Sequence, residues 1–465
     1  MKRMLEIVLV LTMLLTLAGC GASAVESGSQ SVPAESVKAE TESQLADNSS
    51  ERLPKFSRTA QIEETVLLDE DNVRVIATEL TYESYAAELE VTIENNSDRD
   101  LSFISGSIGY SCNSVNGIMV EDGYLNCDVA AGKKAMDTIM LDYETMQLYG
   151  ISEIAEIELG IYTTDDDFND TYYTPRKITT SADAGDEFDP LRYQQRITSE
   201  AAQNTFAYEV EFFAANRLYE RDGVAVLSEA LLRNKDGEYL LLVEVENQSE
   251  DLRVVSTGNI TVNNLILEGS RWSNNMIAPG KRGIITVDLS SVAEERYWQL
   301  YGIEHISTIG IDLQQSDSEW NELTEDETAV IHIDDKNEID PAGEEIYNQN
   351  GARIVKKALL APGSKYDTDY RIMLLAENTG EDVLDLSIAY DTLSVNGFMV
   401  DYFGSSWELQ PGQFAMMEIK LYGDDLEEIS VTSVDQITQV EFELEIEQNG
   451  SDAGSSTITM DLEQE

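Results

Sequence analysis

The chain has 465 residues, of which 42% are apolar, and it carries 89 Asp and Glu against 30 Lys and Arg. This length exceeds what one hydrophobic core usually serves, and it predicts two to four domains. The formal net charge of −59 repels polyanions, and no cluster of basic residues interrupts it. The composition therefore argues against nucleic-acid binding and against docking on anionic lipid headgroups.

The first 19 residues have the parts of a bacterial signal peptide. Lys2 and Arg3 form a positive start, residues 7–17 are a nearly unbroken apolar stretch, and small residues precede Cys20. The apolar run is too short for a bilayer crossing, which needs about 20 residues. The sequence LAGC at 17–20 resembles the lipobox of bacterial lipoproteins. That resemblance implies cleavage before Cys20, a diacylglyceryl group on its thiol, and a lipid anchor on the extracytoplasmic face of the cell membrane.

Residues 20–60 are rich in Ser, Glu and Ala, with few large apolar side chains. Such a segment cannot bury enough apolar surface to offset the entropy of ordering. We expect a disordered acidic tether that follows the lipidated cysteine.

Beyond the tether, one set of turn motifs recurs three times in the same order, and we call these repeats the first, second and third copies. Each set begins with a two-residue turn suited to a β-hairpin, because Asn, Asp and Gly tolerate the positive φ of a type I′ turn. A strand ending in Glu-Asn, a Val-Asn turn and a turn ending in Gly follow. In the first, second and third copies, the hairpin turn lies at 71–72, 222–223 and 350–351, and the Glu-Asn motif at 94–101, 246–252 and 377–383. The Val-Asn turn lies at 115–117, 262–264 and 395–397, and the turn ending in Gly at 131–132, 279–280 and 411–412.

A last motif, Tyr-Gly-Ile, stands at 149–151 and 301–303 and is missing from the third copy, which predicts that this copy is divergent or shortened there. The strands between the turns alternate apolar and polar residues, which is typical of antiparallel sheets with one buried face. The fold class is therefore predicted to be all-β, with three tandem antiparallel sandwiches.

The turn pattern resembles the immunoglobulin-like (telokin-like) domains of unknown function on Gram-positive surface lipoproteins. This resemblance implies three immunoglobulin-like β-sandwiches, although the Cys, Trp, Cys signature of antibody domains is absent. The predicted boundaries are a signal peptide at 1–19, a tether at 20–60, sandwiches at 61–181, 205–336 and 340–463, and a linker at 182–204.

Two cysteines remain after Cys20 is assigned to lipidation. Outside the cytoplasm, Cys112 and Cys127 could form a disulfide that closes a loop of about 15 residues, worth about 3 kcal/mol in the chain-entropy model. The alternative is two buried thiols in strand-like sequence. Both alternatives stay open.

Asp165, Asp167 and Asn169 are the candidate metal ligands, because their alternate spacing matches the start of a calcium loop. The rest of the loop fails, since Asp170 stands where Gly is required and Arg176 where Glu is required. A solvated acidic loop is the alternative. No cofactor is predicted.

Motifs for nucleophilic, zinc or nucleotide chemistry are absent from the sequence, and no catalysis is expected. Tyr172, Tyr173, Tyr402 and Phe403 are candidates for an exposed binding surface. We expect a lipid-anchored binding, adhesion or spacer protein whose partner is an envelope or host protein or a glycan. A secreted hydrolase that uses a carboxylate pair and a calcium-stiffened rod are the alternatives.

Overall fold

The computed structural model describes residues 52–106, 113–121, 123–182, 189–267, 273–289, 300–303, 305–325, 327–335, 339–364, 367–404 and 406–462. Strands dominate these residues and the helices among them are short. The prediction of an all-β chain is confirmed. Cys20, the signal peptide and most of the tether lie outside the described residues.

The strands of the first copy are β1 Thr65–Glu70, β2 Val73–Tyr82, β3 Ala86–Asn95, β4 Leu101–Ser105, β5 Ser114–Val115, β6 Ile118–Met119, β7 Leu125–Val129, β8 Lys133–Asp142, β9 Glu156–Leu159, β10 Tyr162–Thr164, β11 Asp170–Tyr172 and β12 Arg176–Thr179. Three short helices are α1 Tyr143–Leu148, α2 Arg192–Ile197 and α3 Glu200–Phe206.

The strands of the second copy are β13 Tyr208–Ala214, β14 Tyr219–Arg221, β15 Val224–Asn234, β16 Tyr239–Asn247, β17 Arg253–Val262, β18 Leu265–Ile266, β19 Ser273–Ile277, β20 Arg282–Asp288, β21 Thr308–Ser316 and β22 Glu327–His332. The third copy contains β23 Glu344–Gln349, β24 Ala352–Leu360, β25 Tyr370–Asn378, β26 Leu384–Ile388, β27 Ser394–Val395, β28 Phe398–Met399, β29 Tyr402–Gly404, β30 Trp407–Leu409, β31 Phe414–Leu421, helix α4 Gly423–Glu428, a 3-10 turn Val434–Gln436, β32 Gln439–Gln448 and β33 Ser451–Asp461.

The described strands form five sheets, in which neighbours are almost always antiparallel. Their orders are β1-β2-β3-β8, β11-β10-β4-β7, β12-β9-β5-β6-β20-β16-β15-β13, β22-β21-β17-β18-β31-β25-β24-β23 and β28-β27-β32-β26-β30. The parallel neighbours are β6 with β20 and β18 with β31.

The chain divides into two compact units, each with its own cores. The first comprises the described parts of Met1–Ser256, Ser273–Ser291 and Gln314–Glu325, and the second those of Thr257–Trp272, Val292–Leu313 and Asp326–Glu465. Alternating strand residues fill the cores: Leu89 and Ile93 are buried in the first unit, and Met417 and Ile419 in the second. This burial of every second residue is what the alternating pattern predicts.

A buried asparagine holds the loop after the same strand in each copy. In the second copy, the Asn247 amide donates to the carbonyl oxygens of Asp251 and Ile277, both at 2.8 Å. Its side-chain oxygen accepts from the backbone N–H and the hydroxyl of Ser249 at 2.9 and 2.7 Å. The Glu-Asn motif therefore ties the loop to the end of β19. The equivalent residues are Asn95 and Asn378.

The Val-Asn turns share a second framework. In the first copy Asn116 has a φ of 49°, its amide donates to the Glu153 carbonyl at 2.8 Å, and its side-chain oxygen accepts from the N–H groups of Ala155 and Glu156. The turn residue thus carries both the positive φ and the link to β9. The same bonds recur at Asn263 and Asn396.

The third copy lacks the Tyr-Gly-Ile sequence but retains the backbone structure of that motif. The predicted divergence is therefore a change of sequence and not a loss of structure. Gly150 follows α1 with a φ of 89°, and the N–H of Ile151 donates to the Met146 carbonyl at 2.8 Å. Ser430 follows α4 with a φ of 64°, and the N–H of Val431 closes the equivalent bond, also at 2.8 Å. A serine takes the left-handed position that glycine usually occupies after a helix.

Candidate binding surface

Two turns of the same build each present an exposed aromatic side chain from left-handed backbone. Phe168 lies in the turn 165–169 between β10 and β11, with a φ of 61° and 88% of its surface exposed. Trp320 lies in the turn 317–321 after β21, with a φ of 66° and 43% exposure. A left-handed residue with a Cβ atom costs about 1–2 kcal/mol, so aromatic residues are uncommon there.

The leading aspartate of each turn fixes its shape. Oδ1 of Asp165 accepts from the N–H groups of Asp167 at 3.1 Å and Asn169 at 3.0 Å. In the second copy, Oδ1 of Asp317 accepts from the N–H of Asn321 at 2.9 Å. The amide of the closing asparagine also donates to the leading carboxylate in both turns. These bonds position the aromatic residue but do not involve its side chain.

A third turn of the first unit has the same bonds and no aromatic residue. In the turn 234–238 between β15 and β16, the side-chain oxygen of Asn234 accepts from the N–H groups of Asp236 and Glu238, both at 2.9 Å. The left-handed position is Gly237, with a φ of 88°. Since glycine completes this turn, the folding of such a turn does not require Phe168 or Trp320.

Both aromatic turns are strongly acidic. Residues 165–170 include four aspartates, and residues 317–322 include three acidic side chains. Hydrogen bonds from the Asn169 backbone and side chain lower the pKa of Asp165, and those from Asn321 lower the pKa of Asp317. The carboxylate that leads each turn, Asp165 or Asp317, therefore stays ionised at neutral pH.

The structure brings two of the three predicted calcium ligands together. The side chains of Asp165 and Asn169 are hydrogen-bonded at 2.9 Å, and the Arg99 guanidinium lies 2.6 Å from the second carboxylate oxygen of Asp165. Asp167 contributes its backbone N–H to the same turn. In the described residues, no group of three or more His, Cys, Asp or Glu side chains has an arrangement that could hold a metal ion. Calcium binding here stays a prediction.

The tyrosine and phenylalanine candidates differ in exposure. Tyr172 is 53% exposed and stacks on Tyr162 with ring centroids 5.3 Å apart, next to the Phe168 turn. Phe403 is 54% exposed. Tyr173 and Tyr402 are only partly exposed and pack against the cores of their units. Tyr172 thus presents a further exposed aromatic ring on the hairpin that carries Phe168.

The disulfide prediction stays open, because Cys112 lies outside the described residues. Cys127 is a half-buried thiol on β7, unpaired among the described residues. Burial and the neighbouring Asp137 carboxylate raise its pKa to about 11. This thiol is protonated at neutral pH and is a poor nucleophile in that form.

A buried carboxylate of the first unit is fully engaged by its neighbours. Glu244 has no exposed surface, and its Oε1 lies 2.8 Å from Nη1 of Arg282. Its Oε2 accepts from the Ser228 hydroxyl at 2.7 Å and from the Gln194 amide at 2.8 Å. This network joins α2 to the sheet.

A serine, an aspartate and a histidine also meet in the second unit. Oδ1 of Asp334 accepts from the Ser307 hydroxyl at 2.6 Å and lies 3.3 Å from Nε2 of His305. A catalytic triad places the serine hydroxyl on the imidazole, whereas this hydroxyl donates to the carboxylate.

A small cavity of about 30 Å³ in the first unit is lined mainly by apolar side chains of α1, α3, β15 and β16, among them Leu148, Phe206, Leu232 and Leu242. Ligand pockets are about ten times larger. Within the described residues, no helix has the length and apolar character that a membrane crossing requires.

Neither a protein-family model nor a curated protein sequence matches the chain. Solved structures that resemble it include the exo-chitosanase CsxA of Amycolatopsis orientalis, at 8% identity over 87% of this chain and 79% of that one, with a TM-score of 0.17. A transglutaminase of red sea bream covers 66% of this chain and 38% of its own at 8% identity, with a TM-score of 0.15. A 1.5-MDa bacterial ice-binding adhesin aligns over 80% of this chain and 90% of its own at 9% identity, with a TM-score of 0.13.

Sequence reasoning noticed the acidic loop at 165–170 but interpreted it only as a possible metal site. The signal that it missed is a shared spacing, Asp-x-x-aromatic-Asn, at residues 165–169 and 317–321. That the aromatic residue has a positive φ and an exposed ring became apparent only from the structure.

Proposed function

We propose that this protein is a non-catalytic binding and spacer protein of three immunoglobulin-like sandwiches, held on the extracytoplasmic face of the cell membrane by lipidated Cys20. Its partner is an envelope or host protein or a glycan. The observation that carries the proposal is the pair of exposed aromatic side chains, Phe168 and Trp320, in equivalent turns. Glycine at either position would adopt the left-handed backbone conformation with less strain.

Backbone strain at an exposed position indicates selection for something other than stability. Exposed aromatic rings contribute strongly to binding surfaces, because they provide a large contact area with few rotatable bonds. In this chain an exposed aromatic residue with left-handed backbone occurs at the same position of two copies, 152 residues apart. We therefore assign the binding role to the two aromatic turns, each including its flanking carboxylates.

The chemistry of the turns favours a partner surface that carries ammonium or guanidinium groups. The face of an aromatic ring attracts cations, and carboxylates beside it strengthen that attraction. The net charge of −59 acts in the same direction, since it speeds encounter with a cationic partner at low salt.

The experiment is cross-linking mass spectrometry on intact cells that carry the protein, comparing the unmodified chain with a Phe168→Gly, Trp320→Gly double variant. We expect a reproducible partner whose cross-links lie near the two turns and whose yield falls about tenfold in the double variant, as for the loss of about 1.4 kcal/mol of binding free energy. A Gly237→Ala variant changes the third turn and serves as the control.

Two outcomes would reject the proposal. Capture of abundant neighbours alone, with no specific partner, would leave a passive spacer. Unchanged capture by the double variant would place binding elsewhere on the molecule. The anchor is tested separately: Cys20→Ala should lose metabolic labelling with palmitate and leave the membrane fraction.

A further inference from the structure

Each of the first two Val-Asn hairpins adds to a sheet of the next copy. In the first unit, β6 lies parallel to β20 with Ile118 beside Arg282, and the N–H of Arg282 donates to the Gly117 carbonyl at 3.1 Å. Ile118 packs against a core that contains Ile284, which is 6% exposed. We call this contact the first joint.

The second joint repeats this arrangement within the second unit. β18 lies parallel to β31, and the N–H of Phe414 donates to the Asn264 carbonyl at 2.9 Å. Leu265 is 3% exposed and shares a cluster with Met416. Because Arg282 and Phe414 both stand two residues after the glycine of the preceding turn, the two joints use the same position of equivalent strands.

The third hairpin has the same build and is exposed. β27 and β28 enclose Asn396 and Gly397, as in the other two copies. At the positions of Ile118 and Leu265 stands Phe398, with 58% of its surface exposed, followed by Met399 with 60%. Two large apolar side chains are thus exposed on a hairpin tip, whereas the equivalent pair is buried in the second copy and half-buried in the first.

The strand that should receive such a hairpin is exposed at the other end of the repeat series. β8 is the counterpart of β20 and β31, and β3 is its sheet neighbour on one side. On the other side the Met140 carbonyl accepts from the N–H of Gly123 at 2.9 Å, and within the described residues no strand flanks the first residues of β8. Met136, at the position of Ile284 and Met416, is 76% exposed. An unpaired edge with an apolar side chain is a template for another strand.

The charges at these two surfaces match those of the first joint. There, Nζ of Lys281 lies 3.0 Å from Glu158 and 3.6 Å from Glu156. At the position of Lys281, β8 carries Lys133, which is exposed. Glu441, which is exposed, is the counterpart of Glu158 in the third copy. Glu158 pairs with the first residue of β5 and Glu441 with the first residue of β27, and these two strands are equivalent. The uncharged residues at these positions of the second joint are Gln413 and Gly310.

We propose that the hairpin 394–399 of one molecule adds in parallel to the free edge of β8 in a second molecule, so that the chain associates head to tail. Phe398 then covers Met136, and Lys133 pairs with Glu441. The two contacting surfaces differ, so the contact is heterologous and each association leaves one hairpin and one edge available.

The association is expected to be weaker than the joints within the chain. Those joints also bury a tyrosine, Tyr149 or Tyr301, against apolar residues of the next copy such as Leu242 and Met373. In the first copy, Glu90 occupies the position of Leu242. The third copy has no tyrosine there, since Ile429 takes its place. The contact between two molecules therefore consists of the hairpin contact alone. We expect a reversible equilibrium between separate and associated molecules.

The test is sedimentation velocity of the full chain in detergent over a wide range of protein concentration. We expect the weight-average mass to rise with concentration, and Phe398→Ser or Met136→Ser to abolish that rise. Both side chains are exposed, so these changes should not affect folding. Phe403→Ser and Met140→Ser are matched controls, because both residues are exposed but lie outside the predicted contact, and these variants should associate normally.

A charge exchange tests the orientation of the contact. Lys133→Glu alone and Glu441→Lys alone should each weaken association, because like charges then meet. A mixture of the two variants should restore it, since every contact in alternating chains is again of opposite charge. Carbodiimide cross-linking of isotope-labelled with unlabelled chain should join Lys133 of one molecule to Glu441 of another.

Three results would overturn the proposal. The first is a monomer at every concentration. The second is association that Phe398→Ser and Met136→Ser leave intact. The third is a cross-link that joins hairpin to hairpin, which would indicate a symmetric dimer.

Discussion

The first two copies and the third share one framework of hydrogen bonds. They differ in the residues of an exposed turn and in the contacts of their Val-Asn hairpins. The first two place an aromatic residue in an acidic five-residue turn, whereas the third closes the equivalent hairpin with Asn449 and Gly450. The Val-Asn hairpin is buried in the second copy and half-buried in the first, whereas the third exposes Phe398. The buried asparagines therefore specify the fold of a copy, while the variable positions specify what each copy contacts.

The largest loss of stability should follow from substitution of the tyrosine that the first two copies have and the third lacks. Tyr301 has no exposed surface, packs with Val355 and Met373, and donates a hydrogen bond to the Leu374 carbonyl at 3.2 Å. Tyr301→Ala should lower the free energy of unfolding by about 3–5 kcal/mol, because a large cavity forms in a packed cluster. Ile429→Ala, the matched change in the third copy, should cost about 1 kcal/mol.

Chemical denaturation followed by tryptophan fluorescence would measure both variants. Equal losses for Tyr301→Ala and Ile429→Ala would contradict the difference between the copies.

The shared framework predicts the opposite result, equal effects in two copies. Asn247→Ala and Asn378→Ala should each cost about 2–3 kcal/mol, because each leaves buried carbonyl and N–H groups without partners. Asn348→Ala, at an exposed position of β23, should change the stability by less than about 0.5 kcal/mol. Thermal unfolding followed by circular dichroism would compare the three, and a harmless change at either buried asparagine would refute the framework.

The second copy also differs from the others in pH dependence. Among the described residues, the buried carboxylates Glu229, Glu244 and Asp312 all belong to it. Burial raises the pKa of Glu229 to about 7. In the unfolded chain this carboxyl ionises near the ordinary glutamate pKa of 4.5, so folding takes up a proton between pH 4.5 and 7, and stability falls as the pH rises through that window.

Above pH 7 the full penalty remains, on the order of 3 kcal/mol, because each unit of pKa shift corresponds to about 1.4 kcal/mol. Glu229→Gln should therefore stabilise the protein at pH 8 and have little effect at pH 4. Denaturant titrations at both pH values would check this. An equal gain at the two pH values would show that the titration of Glu229 is not the cause.

The smallest effects concern the aromatic turns, and their sign is the test. Phe168→Gly and Trp320→Gly should raise the free energy of unfolding by up to about 1 kcal/mol, because glycine relieves the left-handed strain. Gly237→Ala should lower it by about 1 kcal/mol for the same reason. Differential scanning calorimetry resolves such changes. A destabilised Phe168→Gly protein would show that the ring contributes to folding after all.

Much of the fold could be predicted from the sequence. The turns at 71–72, 222–223 and 350–351 have the predicted positive φ values at both residues. The recurring Glu-Asn and Val-Asn motifs became the hydrogen-bonded corners of each copy. Ser430 shows the limit of such reasoning, since a serine with a φ of 64° cannot be distinguished by sequence from an ordinary helical or loop residue.

The all-β class, the threefold recurrence of the turn motifs and the places of the tight turns can be predicted from the sequence, because these depend on local backbone preferences and on apolar alternation. Which hairpins are covered and which aromatic rings are exposed depends on tertiary contacts. Ile118 and Phe398 follow nearly identical turns, and their different burial depends on whether a distant strand, β20 in the case of Ile118, lies alongside. Such long-range pairing leaves no local signature in the sequence.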